Sequence, residues 1–254
     1  MVTAKIGKHN VEYYDAIDEL PIVRFHKYQK YLLIDAGIGG DIQAFDARTE
    51  KVRRYLMDGQ TDNAIKELGN LRQSINLILS GINPKHMAFA TLVTKIDGQT
   101  FEKITDDAVQ RICEILSDVT IKDLAVPLDS AKKKIDTELM LYFPNLFNDA
   151  EVKEYFDLLK RRTVEILRNI SKGLRYPDKT PLIDKINTQL ITYTNPKIFA
   201  GSDGVEIQFD RQFENLCLAL SEQLNVKPKE YTTLEFYNAF DLIQNRAKKA
   251  KKSA

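Results

Sequence analysis

The chain has 254 residues, 43% hydrophobic and 29% charged, enough for a sizeable core in one large domain or two small ones. Its 37 Lys and Arg nearly cancel 36 Asp and Glu, so a net charge of +1 supplies no global field toward nucleic acid or a membrane. Two cysteines cannot make a disulfide framework and fit a reducing compartment, no apolar run reaches the ~18 residues of a membrane span, and the first residues lack the apolar core of a signal peptide.

Residues 2–15 are expected to form a hairpin, with strands at 2–6 and 11–14 around the turn formers Gly7, Lys8, His9 and Asn10. Asp18, Glu19, Leu20 and Pro21 then break the chain. From Arg24 the apolar spacing is helical, and Phe25, Tyr28, Leu32 and Leu33 share a face. Gly37, Gly39 and Gly40 stop that helix, and Asp41 is the expected N-cap of a second helix carrying Ile42, Phe45, Val52, Tyr55 and Leu56. After the Asp58-Gly59-Gln60-Thr61 break, Ile65, Leu68, Leu71, Ile75, Ile78 and Leu79 mark a third helix. Asn83 followed by Pro84 opens a fourth.

The helical period fails over residues 89–104. There Asp97-Gly98 sits between Leu92, Val93, Ile96 and Phe101, a second hairpin that could pair with the first. Thr105 or Asp106 caps the helix of Val109, Ile112, Cys113, Ile115 and Leu116. Long helices are expected at 129–143 and 149–173, the latter opened by Asn148 and Glu151 at capping-box spacing. Pro177 and Pro181 mark a linker. Helices at about 182–193 and 208–224 follow, and Pro228 interrupts. Thr232 with Glu235 boxes the last helix. The expected fold is mainly α: a multi-helix domain with a small β-hairpin element in the N-terminal ~105 residues. The linker suggests a division into 1–175 and a C-terminal helical segment 182–254.

Chemistry is sparse. His9, His26 and His86 are isolated from one another and from cysteine, which gives no metal-ligand spacing. Asp203-Gly204 with Asp210 lacks the alternating carboxylates of a calcium loop. Cys113 and Cys217 lie on apolar helical faces with no neighbouring histidine, and no nucleophile elbow occurs. Asp106 and Asp107 read as first-turn helix acids. The basic runs Lys132-Lys133-Lys134 and Arg161-Arg162 fit solvated helix faces. The tail of Arg246, Lys248, Lys249, Lys251 and Lys252 suits a helix C-terminus, with a nucleic-acid contact as the alternative. No catalytic, cofactor-binding or metal-binding residue is assigned. Eleven tyrosines and 12 phenylalanines recur in pairs, such as Tyr13-Tyr14 and Phe236-Tyr237, and tyrosine is favoured at interfaces.

Two resemblances bear on function. Leu33-Ile34-Asp35-Ala36-Gly37-Ile38-Gly39-Gly40 is similar to the first motif of S-adenosylmethionine-dependent methyltransferases. That resemblance implies a strand over 31–35 and a cofactor site across 33–41. The helical spacing and caps of the segments that follow favour instead a helix–cap–helix joint. Separately, residues 11–25, 92–98 and 233–249 resemble virion and assembly proteins of tailed bacteriophages of the crAss-like type. This implies a non-enzymatic tail, neck or ring component, or an assembly factor. Such a protein would be a homo-oligomer in contact with other tail, portal or neck proteins, located in the virion and assembled in the host cytoplasm.

Overall fold

The computed structural model describes residues 1–39, 42–147, 150–193, 197–199 and 203–253. The fold is mainly α, with one small antiparallel sheet. The strands are β1 (Val2–Ile6), β2 (His9–Tyr13), β3 (Val93–Ile96) and β4 (Gln99–Thr100), in the order β1-β2-β3-β4. Both expected hairpins form. Gly7 at φ +58° turns the first, while Asp97 and Gly98 at φ +47° and +92° turn the second, conformations that Asp and Gly tolerate. The two hairpins join in the middle of the sheet, where Val11 pairs with Ile96 and Tyr13 with Val93 across a bulge at Glu12/Tyr13. Alternation puts Ile6, Val11 and Tyr13 on the buried face, and the bulge brings Val93, three residues from Ile96, to that face with it.

Between the hairpins run α1 (Ile22–Gly37), α2 (Ile42–Met57), α3 (Thr61–Leu79) and α4 (Pro84–Leu92). After them come α5 (Asp106–Ile115), α6 (Ile121–Tyr142), α7 (Pro144–Phe147), α8 (Ala150–Ser171) and α9 (Pro181–Tyr193), then α10 (Val205–Leu224) and α11 (Thr233–Ser253). Several expected caps are in place. Asn83 accepts from the Lys85 N–H, Thr105 from Ala108, and Thr232 and Glu235 close their box reciprocally. The expected caps Asp41 and Asn148 lie outside the described residues. Helix α6 starts eight residues before the expected 129. Thr120 accepts from the Asp123 N–H and donates to its carboxylate, and the helix carries Pro127 internally.

The main core lies between the sheet and α1, α4, α5, α6, α10 and α11. It takes Phe25 and Tyr28 from α1, Phe89 from α4, Ile112 from α5, Ile135 from α6, Leu220 from α10 and Phe236 from α11. One cluster therefore draws residues from both sides of the linker at 175–181. The C-terminal segment is clipped to the start of α1 by backbone bonds from Ile22 N–H to Tyr231 O and from Thr233 N–H to Leu20 O.

Arg24 belongs to this core and is only 3% exposed. Its guanidinium has no carboxylate partner among the described residues. It donates instead to the carbonyls of Thr91, Val93, Phe101 and Glu102, fastening α1 to the strand entry and exit. Burial drives its pKa down. Outside this core stand two helical pairs, α2 with α3 and α8 with α9.

Candidate interaction surface

Tyr31 to Gly37 are the last turns of α1, so the strand that a methyl-donor site would need over 31–35 is absent. Gly37 and Gly39 end a helix, and Gly40 lies outside the described residues. Gly39 takes φ +70° just beyond the C-terminus, and the N–H groups of Ile38 and Gly39 both return to the Ile34 carbonyl. Gly37 serves a different need: a Cβ there would overlap the Phe199 ring, which lies directly on its backbone.

The last carbonyls of α1 have no intrahelical donors, and that of Ile38 just beyond the helix is buried, so they must find partners elsewhere. Arg48 of α2 supplies them, with Nε 2.6 Å from Ile38 O and Nη2 3.3 Å from Ala36 O. Its Nη1 donates to the Glu67 carboxylate of α3 at 2.6 Å, and both side chains are buried. Further along α3, Asn70 donates to Lys197 O at 2.9 Å and Ser74 to Gly39 O at 3.4 Å. These demands decide how α3 is rotated. Ala64, Glu67, Asn70 and Ser74 face inward.

Of the six apolar residues that mark α3, Leu71 and Ile78 are half-buried and the other four are turned outward. Ile65 is 61% exposed, Leu68 49%, Ile75 39% and Leu79 79%. With Arg72 between them, their spacing alternates three and four residues, the period of a helix-pairing seam. Gly69 lies within it, and a Cβ there would meet nothing within 4 Å, so the helix backbone is open to close approach. Leu56 and Met57 at the end of α2 are exposed beside this helix pair. A second exposed series, Val164, Leu167 and Ile170, lies on α8. Single exposed apolar residues are ordinary, but a stripe along a helix marks a contact surface.

Two of the three histidines are structural ties, while Nε2 of His86 is buried without a hydrogen-bond partner among the described residues. His9 is buried, with Nδ1 2.6 Å from Asp97 Oδ2 and Nε2 3.1 Å from Asp118 Oδ1. The bond to Asp97 raises its pKa, helped by Asp118 and opposed by burial. His26 of α1 stacks between Phe209 and Phe213 of α10, with ring centroids 4.6 and 4.1 Å away. Its Nε2 lies 2.9 Å from Asp210, which Lys30 also engages at 2.6 Å. Burial lowers the His26 pKa and outweighs the Asp210 bond.

Among the described residues no group of three metal-ligating side chains comes together, and no helix is long and apolar enough to cross a membrane. The basic runs sit on separate elements: Lys134 bonds Asp15, Arg162 bonds Asn187, and Arg246 and Lys248 are exposed on α11. The inward polar face of α3 is not legible in the sequence, because apolar spacing alone cannot tell a core face from a docking face. Compared with protein-family models, curated proteins and solved structures, the chain has no match.

Proposed function

We propose that this protein is a non-enzymatic structural or assembly subunit that works as a homo-oligomer, joined through the outward apolar stripe of α3. The observation that carries the reading is the inversion of that helix, polar inside and apolar outside. Burying a Leu or Ile side chain fully stabilises by about 1.5–3 kcal/mol. Four such residues from each of two copies, already partly covered, supply roughly 6–12 kcal/mol. Association costs about 4–15 kcal/mol in lost freedom, so the α3 stripe alone gives weak pairing. The neighbouring Leu56 and Met57 would add to it, and self-association should rise over the micromolar range.

The proposed setting is a tailed-phage virion, as a tail, neck or ring component or an assembly factor contacting other virion proteins. Support for that setting is the resemblance of residues 11–25, 92–98 and 233–249. These segments adjoin in the fold: β2 pairs with β3, and Thr233 bonds back to Leu20. The test is sedimentation of the wild type beside a Leu68→Glu/Leu79→Glu variant. Both substituted positions are exposed, so the variant should keep its fold and lose its self-association.

A further inference from the structure

A cleft of about 770 Å³ opens between α2 and the α8–α9 pair. Five cations line it: Lys51, Arg53 and Arg54 from α2, Arg162 from α8, and Lys179 from the linker. Three carboxylates face them, Glu50, Asp178 and Asp184. Two of the arginines are already answered. Arg53 and Arg54 both hold Glu50, at 2.7 and 3.3 Å, and Arg54 reaches Asp184 at 3.1 Å. The paired guanidinium groups keep the Glu50 carboxyl ionised, pulling its pKa down to about 2.

The other three cations have no carboxylate partner among the described residues. Arg162 spends only its Nε, on the Asn187 side-chain oxygen at 2.7 Å, and leaves its terminal nitrogens for another acceptor. Lys179 lies 5.6 Å from the centroid of the Tyr176 ring, a contact that leaves its ammonium hydrogens available. Lys51 is part-buried, and the carboxylate that acts on it, Glu67, is held by Arg48. Burial drives its pKa down, the mark of an ammonium losing water without gaining a partner.

Three unanswered cations converging on one cleft from three elements favour a multiply charged anion. A single carboxylate would leave two of them unmatched. A phosphate group carries about −1.5 to −2 and three acceptor oxygens, and guanidinium forks suit it in geometry. Tyr155 and Leu159 give the same cleft an apolar wall for whatever the phosphate carries. We infer that the α2/α8–α9 cleft binds a phosphate-bearing ligand through Lys51, Arg162 and Lys179. The phosphate could belong to a free nucleotide or to a nucleic-acid backbone.

The experiment titrates the full chain with inorganic phosphate, with ATP and with a fluorescein-labelled single-stranded oligonucleotide, and uses an oligoglutamate peptide as the carboxylate control. Saturable binding of at least one phosphate probe is expected, weakened about tenfold or more by Lys51→Met or Arg162→Gln. Asp178→Asn removes an opposing charge from the lining and should tighten binding, a gain that misfolding cannot mimic. Binding shared by ATP and phosphate assigns a nucleotide. Oligonucleotide binding that falls steeply with salt, without ATP binding, assigns a nucleic-acid backbone. The inference is overturned if no phosphate probe saturates, if the peptide alone binds, or if the variants match the wild type while Lys132→Gln on α6 weakens binding instead.

Discussion

The buried Arg48–Glu67 pair gives the sharpest energetic test, because Arg48 has two jobs that separate by mutation. It answers a buried carboxylate, and it supplies the carbonyls of Ala36 and Ile38 at the end of α1. Glu67→Ala leaves a buried guanidinium unpaired, which should destabilise by about 3–5 kcal/mol. Arg48→Met strands the carboxylate at a similar cost and also leaves the buried Ile38 carbonyl without its donor, worth about 1–3 kcal/mol, and the part-buried Ala36 carbonyl, worth less. The double variant Arg48→Met/Glu67→Leu removes the charge problem, since an apolar replacement for a buried ion pair is often neutral. Were the pair all that mattered, the double variant would match the wild type. The capping role requires a residual loss of about 1–3 kcal/mol, most of it from the buried Ile38 carbonyl. Urea denaturation followed by circular dichroism measures all three. A Glu67→Ala loss below about 1 kcal/mol, or a fully neutral double variant, would refute this account of the joint.

Gly37→Ala should lose about 1–3 kcal/mol by overpacking against Phe199, and most of that loss should disappear in a Phe199→Ala background. His9 and His26 should leave opposite marks on stability against pH. The raised pKa of His9 gives a contribution that is complete below the ordinary value of 6.5 and is lost as pH rises through the folded-state value. His9→Gln should flatten that decline, and an unchanged profile would count against the Asp97–His9–Asp118 tie. The lowered pKa of His26 instead costs stability as pH falls below 6.5, and His26→Phe should relieve it. Burial pushes the Cys113 thiol up to about 12 and raises Cys217 as well. Neither should react with a thiol reagent until the protein unfolds, and rapid labelling of the native chain would contradict their placement.

Much of the fold could be read along the chain where local chemistry dictates it. Asp97-Gly98 makes its turn, Asn83 and Thr105 cap their helices, and Thr232 with Glu235 closes its box, because each needs only neighbours within a few residues. Helix α6 starts at Ile121 on the Thr120–Asp123 cap and carries Pro127, a residue that usually breaks a helix interior. What sequence could not reveal lies in long-range pairing. Arg24 looks like a surface cation but is fixed by carbonyls 67 or more residues away. The outward turn of α3 follows from the unmet carbonyls of α1, and these are visible only once α1, α2 and α3 are placed together. The basic cleft likewise draws on residues more than 120 positions apart, such as Arg54 and Asp184.

Assembly through α3 is read out by sedimentation velocity on the purified wild-type chain from about 1 to 100 μM. The expected result is a species larger than the 29.1 kDa chain that grows with concentration, and a Leu68→Glu/Leu79→Glu variant that stays at 29.1 kDa with the same unfolding midpoint. A wild type that remains a 29.1 kDa monomer throughout, or a variant that assembles as the wild type does, would contradict assembly through α3.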